Sequence, residues 1–214
     1  MTATVPQNTA AATATTAAAD MQRPQPGDII LYPAQPGAWA DALISAATRG
    51  PYVHCGVVER VEVSAGDGAV QVTTIEALSG GITRVTFPFT FTADLTAAAG
   101  DAVAGDATRR HPVYAHIAAH MEPLRIAHGL AWLAQVVGSG YSWLDIIGDA
   151  LAALLPPALG ARTPFLVAPS RYDCSSLAAR YLLVAGYEWL SDEMIEAPDR
   201  VSPNDIARAL NVIK

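Results

Sequence analysis

Cysteine is nearly absent from this chain, with two in 214 residues. Two cysteines make no disulfide framework and say little about redox compartment. Charge is thin as well: Asp, Glu, Lys and Arg supply 15% of the residues, and acidic groups outnumber basic ones 20 to 13. A net charge of −7 argues against a nucleic-acid-binding domain, which normally carries a basic patch. No apolar run reaches the roughly 18 residues that span a bilayer. The first residues lack the charged start and apolar stretch of a signal peptide, so no ordinary secretory route is expected for the chain as given. That leaves a cytoplasmic protein, one delivered by another route, or a component of a phage or secretion particle. "GPYVHCG" lacks the glycine pattern of a phosphate loop. What the chain does have is apolar side chains, 51% of the total, ample for one domain with a sizeable core.

Residues 1–26 are Ala/Thr-rich without a sustained apolar face, and read as a flexible tail ending in a proline-punctuated linker. The globular part, residues 27–214, starts at "PGDIILY", where Asp28 to Tyr32 reads as a short strand. Trp39 to Thr48 reads as a short helix. "VHCGVVERVEV" and "AVQVTTIEAL" flank the turn cluster "SAGDG" and predict a β-hairpin. "ITRVTF" predicts the next strand, and the Ala/Gly/Asp-rich residues 92–112 a surface insertion. Beyond this point the pattern predicts helices: Val113 to Met121, Pro123 to about Val137, "SWLDIIGDALAALL", a helix beginning at Cys174, and "SPNDIARAL" with Ser202 as cap and Pro203 at N1. Strands first and helices later make an α+β arrangement.

In "YDCSSLAARYLL" the residues Leu177, Tyr181 and Val184 recur at helical spacing, Asp173 is a good N-cap, and Gly186 sits where a helix stops. Cys174 then opens the helix, under unsatisfied N–H groups and the positive end of the dipole, which favours the thiolate. An isolated cysteine there is also readable as a small buried hydrophobe. The hairpin supplies a partner. Alternation puts His54, Gly56 and Val58 on one face of the first strand and Cys55 on the other, and it groups Val70, Val72, Thr74 and Glu76 on the second. Symmetry about Gly66 sets residue 54 opposite 78 and 56 opposite 76, which makes His54 and Glu76 diagonal neighbours. A slip of one residue removes Glu76 from that face. In this register Glu76 can hold one imidazole nitrogen and leave the other for a thiol, the logic of an activated nucleophile. A structural histidine beside a solvated glutamate fits the same spacing. His116 and His120, at i and i+4 of a predicted helix, open a metal reading, without the H-E-x-x-H glutamate or an evident third ligand. Cys55 points away from His54, and a Cys55–Cys174 disulfide would make the protein structural.

Five stretches in order, "PGDIILY", "GPYVHCGVV", "IEA", "YDCSSLAARYLLVAGY" and "VSPNDIARAL", resemble the circularly permuted NlpC/p60 family of the papain-like superfamily. Permuted members place the histidine strand first, a polar residue on the next strand, and the cysteine helix near the C-terminus, which is the order His54, Glu76, Cys174. The resemblance covers roughly residues 25–210. It implies a papain-like α+β fold, an antiparallel sheet packed against helices, and a cysteine hydrolase that needs no metal or organic cofactor. Cys174 is then nucleophile, His54 general base and acid, and Glu76 orienter of the imidazole. The implied substrates are amides in peptidoglycan peptides or acyl groups of lipid-like molecules. Ser176, where many relatives carry glycine, and the low-complexity tail also fit a catalytically silent module attached to a larger assembly.

Overall fold

The computed structural model describes residues 23–66, 68–89, 111–117, 120–141, 171–188 and 190–213. The tail up to residue 22, most of the expected insertion, and the expected helix at 142–155 lie outside the described residues.

Five antiparallel strands form one sheet: β1 (Ile29–Pro33), β2 (Tyr52–Val63), β3 (Val70–Leu78), β4 (Gly81–Phe89) and β5 (Val113–Ala115), in the order β4-β3-β2-β1-β5. Helix α1 (Trp39–Thr48) links β1 to β2. Helix α2 (Pro123–Val136) carries its proline in the first turn, where a missing N–H is harmless. Two short strands, β6 (Gly140–Tyr141) and β7 (Arg171–Tyr172), pair in parallel. Then come α3 (Cys174–Val184), α4 (Asp192–Glu196) and α5 (Pro203–Ala209). The α+β class expected from the sequence is the observed one.

Helix α3 is central rather than amphipathic. Leu177 and Tyr181 of the expected stripe are buried and Val184 is half-buried, but Ala178, Ala179 and Leu182 are buried too. It packs on the sheet face formed by Ile29, Leu31, Cys55, Val57, Ile75 and Ala77, with α2 against it. Large side chains buried this completely stabilise the fold by roughly 1.5–3 kcal/mol each. The helix ends where Gly186 takes φ +71, with Tyr187 N–H reaching Leu182 O, a left-handed stop open to glycine at little strain.

One expected helix is a strand. Val113–Ala115 pairs antiparallel with Ile29–Leu31 at the sheet edge. The competing influence is buried Asp28, whose carboxylate accepts the Ile117 N–H at 2.9 Å and meets His116 Nδ1 at 2.9 Å. These contacts anchor the end of the segment to β1, and Val113 and Tyr114 are residue types that suit a pleated surface.

Candidate active site

The hairpin register decides whether a site exists at all. Near the turn Val63 opposes Val70 and Arg60 opposes Thr73, a register that, continued, would set Val57 against Glu76. A shift between Val58 and Arg60 brings Gly56 opposite Glu76 instead. Glu59, the residue skipped, is held by two-pronged hydrogen bonds from Arg84 of β4. The pairing of 56 with 76 read from the sequence is the observed one, but a bulge produces it rather than a symmetric turn. By inserting one residue the bulge exchanges the faces of the strand beyond it, and it returns Glu76 to the side of His54.

On that side the Nε2–H of His54 donates to Glu76 Oε2 at 2.9 Å. The other carboxylate oxygen, Oε1, accepts from the Tyr32 hydroxyl at 2.7 Å and from the Thr74 hydroxyl. Tyr32 lies directly opposite His54 across the β1–β2 pair, with the two rings 5.2 Å apart. Gly56 provides the room, since a Cβ there would lie 2.6 Å from Glu76 Cγ. Burial disfavours charge on Glu76, yet the bonds from His54, Thr74 and Tyr32 outweigh it and hold the carboxyl below its usual range.

Nε2 is committed to Glu76, which leaves Nδ1 as the ring nitrogen for a thiol. Cys174 is the thiol whose charge bears on His54. Burial works against an imidazolium at His54, but the Cys174 thiolate and Glu76 prevail and push its pKa up to about 10. Cys174 is driven the other way, well below an ordinary thiol. The neighbouring Cys55 thiol favours the charge, burial opposes it, and the His54 charge adds to the lowering. These shifts favour a thiolate–imidazolium pair with a carboxylate behind it.

Cys174 is the first residue of α3. Its N–H belongs to the helix turn that has no intrahelical acceptor, so it is available as a donor. Asp173 caps the helix as the sequence indicated, with Oδ1 accepting from Ser176 N–H at 2.6 Å and from the Ser175 hydroxyl at 3.1 Å. Burial, and then the neighbouring Cys174 charge, raise the Asp173 carboxyl to about 7 against these bonds. Ser176 completes a capping box, its hydroxyl accepting from Asp173 N–H at 3.0 Å. The Ser176 hydroxyl is therefore engaged in the cap.

Asn204, fully buried in the last helix, binds the Tyr52 backbone at both its N–H and its carbonyl and fixes the start of β2 two residues before His54. Cys55 occupies the core face as alternation requires, but its thiol donates to the Cys174 carbonyl at 3.3 Å, and both cysteines are free. The sequence signals for Tyr32 and Gly56 were their places at the end of "IILY" and in "HCG", which alone do not reveal that both serve Glu76.

The helical spacing behind a metal site does not occur. His116 follows β5 and binds Asp28, and His120 lies in a turn closed by its N–H on Ile117 O. Among the described residues no group of three or more His, Cys, Asp or Glu side chains is arranged to hold a metal ion. Nor is any helix among them long and apolar enough to cross a membrane. The chain matches no protein-family model, and no curated protein is significantly similar to it in sequence.

Proposed function

We propose that this protein is a cysteine hydrolase of the permuted NlpC/p60 type, with a papain-like fold, that cleaves an amide bond in a cell-wall peptide or an acylated, lipid-like substrate. The observation that carries the reading is His54 held by Glu76 at 2.9 Å and under the charge of the Cys174 thiol at a helix start.

Cys174 attacks the substrate carbonyl carbon as a thiolate, and the tetrahedral oxyanion accepts from the Cys174 N–H at the positive end of α3. The imidazolium of His54 gives its Nδ1 proton to the leaving amine, which departs and leaves a thioester on Cys174. Neutral His54 then takes a proton from water, the hydroxide attacks the thioester carbonyl, and the acid leaves as the thiolate–imidazolium pair is restored. Glu76 keeps Nε2–H engaged throughout and so fixes both the tautomer and the plane of the ring.

The test is hydrolysis of a panel of peptidoglycan stem peptides and N-acyl amides by the parent and by Cys174→Ala. The expected result is turnover of one class by the parent and none by the variant, whose melting temperature stays near that of the parent. Equal turnover by the two proteins on the same substrate would overturn the assignment of the nucleophile.

A further inference from the structure

Cys55 is the buried nucleophilic group that the proposed mechanism leaves unused. It is fully buried on the core face of β2, and its thiol already touches the backbone of Cys174, donating to that carbonyl at 3.3 Å. Neither cysteine is tied up in a disulfide. A reactive thiol with a second cysteine against it is the arrangement in which oxidation stops at a reversible stage, since the second thiol captures the first oxidation product.

We propose that Cys55 is a resolving thiol, and that hydrogen peroxide converts Cys55 and Cys174 into a reversible disulfide that masks the nucleophile. In the first step the Cys174 thiolate attacks one peroxide oxygen. The S–O bond forms, the O–O bond breaks, and the departing hydroxide takes a proton to become water. Cys174 is oxidised by two electrons to a sulfenic acid and the peroxide is reduced. In the second step the Cys55 sulfur attacks the Cys174 sulfur. The S–S bond forms, the S–O bond breaks, and the hydroxyl leaves as water with the Cys55 proton. One peroxide and two thiols become one disulfide and two waters.

The order of events is built into the pair. While Cys174 is a thiolate, its presence beside Cys55, together with burial, keeps Cys55 protonated and unreactive. Oxidation to the neutral sulfenic acid removes that charge and frees Cys55 to attack. Closing the bond requires the sulfurs to approach to about 2.05 Å with a Cα separation of about 4.4–6.8 Å. Meeting this requires the Cys174 side chain, at the first position of its helix, to turn from His54 toward Cys55.

The inference rests on Cys174 being the ionised nucleophile of the proposed hydrolase. The experiment treats the full chain with one equivalent of hydrogen peroxide and follows intact mass, a non-reducing peptide map and activity, before and after dithiothreitol. Cys55→Ser and Cys55→Ala are run in parallel, each scored against its own untreated level, so that a packing defect in one is controlled by the other. The parent is expected to lose the mass of two hydrogens, to yield a peptide cross-linked between residues 55 and 174, and to return within about twofold of its starting activity on reduction. Both variants are expected to gain oxygen at Cys174 and, with excess peroxide, to stay inactive after dithiothreitol, because sulfinic acid is not reduced by it. A parent that gains oxygen on Cys174 without a cross-link, or variants that recover as fully as the parent, would overturn the switch while leaving the nucleophile intact. A Cys174 that reacts with neither peroxide nor iodoacetamide would overturn both.

Discussion

The Tyr32 hydroxyl donates to Glu76 Oε1 at 2.7 Å, on the carboxylate oxygen that His54 does not use. Tyr32 also lies beside the imidazole itself, 5.2 Å from it between ring centres. One side chain of β1 thus restrains two members of the site, the carboxylate by a hydrogen bond and the ring by contact. Its hydroxyl stays protonated, since burial and the charge of Glu76 both push its ionisation upward.

Tyr32→Phe keeps the ring and removes the bond. Glu76 Oε1 is left with Thr74 alone, and hydrogen bonds to a charged group contribute about 1.5–3 kcal/mol, so a loss of that order in unfolding free energy is expected in urea titrations. The carboxylate also loses a donor that helps hold its pKa down, so protonation of Glu76 begins at higher pH. A weaker carboxylate supports the His54 imidazolium less, and that in turn holds the Cys174 thiolate less firmly. The acid limb of kcat/KM should therefore move upward in the variant. An unmoved limb with the same stability loss would reduce Tyr32 to a packing role.

Gly56→Ala is expected to do more damage than its size implies. The new methyl would lie 2.6 Å from Glu76 Cγ and 3.3 Å from Ile30 Cγ2. Overpacking of this kind costs about 1–3 kcal/mol, and the side chain displaced by it is the one that orients His54. Thermal unfolding and turnover measured together should show a modest stability loss and a fall in kcat of roughly tenfold or more, the penalty for misplacing a catalytic group. A variant that is destabilised but fully active would show that Glu76 returns to His54 from a new rotamer.

Local signals in the chain were enough to read α1, α2, α3, α5 and one long hairpin, though not α4. Asp173 and Ser202 open their helices with side-chain caps, Gly186 closes one, and the runs around "SAGDG" pair as their alternation indicates. The candidate triad was legible for the same reason, since His54 and Glu76 are on adjacent strands and Cys174 follows its own cap. What escaped the sequence depends on contacts between distant segments. Asp28 draws in His116 from 88 residues away and turns an expected helix into an edge strand. Tyr32 reaches Glu76 through the register of β1 on β2, for which no turn signal exists, because α1 intervenes. Alternation gave the face of Cys55 correctly, but not that the start of α3 crosses the sheet at that point.

The Asp28–His116 pair predicts a pH dependence of stability separate from catalysis. The hydrogen bond to Asp28 raises the pKa of His116, burial partly opposes it, and the Asp28 charge adds to the rise. A histidine whose folded pKa exceeds its unfolded value, near 6.5, stabilises fully below that value and loses the contribution as pH rises through the folded pKa. In denaturation series, parent and His116→Ala should therefore differ most below about pH 6 and converge at alkaline pH. A gap that is constant across the range would assign the effect to packing of the ring.

The order of damage within the triad follows from which proton each residue handles. His54→Ala removes the acid that protonates the leaving amine, and general acid–base groups of this kind contribute roughly 10²–10⁴-fold, so turnover should fall by that factor even though a thiolate persists at the helix start. Glu76→Gln should cost less. Its amide oxygen can still accept from Nε2–H while the Tyr32 and Thr74 hydroxyls turn to accept from its NH₂, so the ring keeps its plane and loses only the opposing charge. Glu76→Ala frees the ring and strands two hydroxyls, and should fall between Glu76→Gln and His54→Ala. The parent's rate should drop on the acid side as the Cys174 thiolate takes up a proton, and on the alkaline side near pH 10, where the His54 imidazolium gives up the proton it must donate. Both apparent values belong to the pair rather than to either residue. In Glu76→Gln the alkaline limb should move down, because the charge that helps hold the proton on His54 is gone. An unshifted limb together with parental turnover in Glu76→Ala would remove Glu76 from the mechanism and leave a cysteine–histidine dyad.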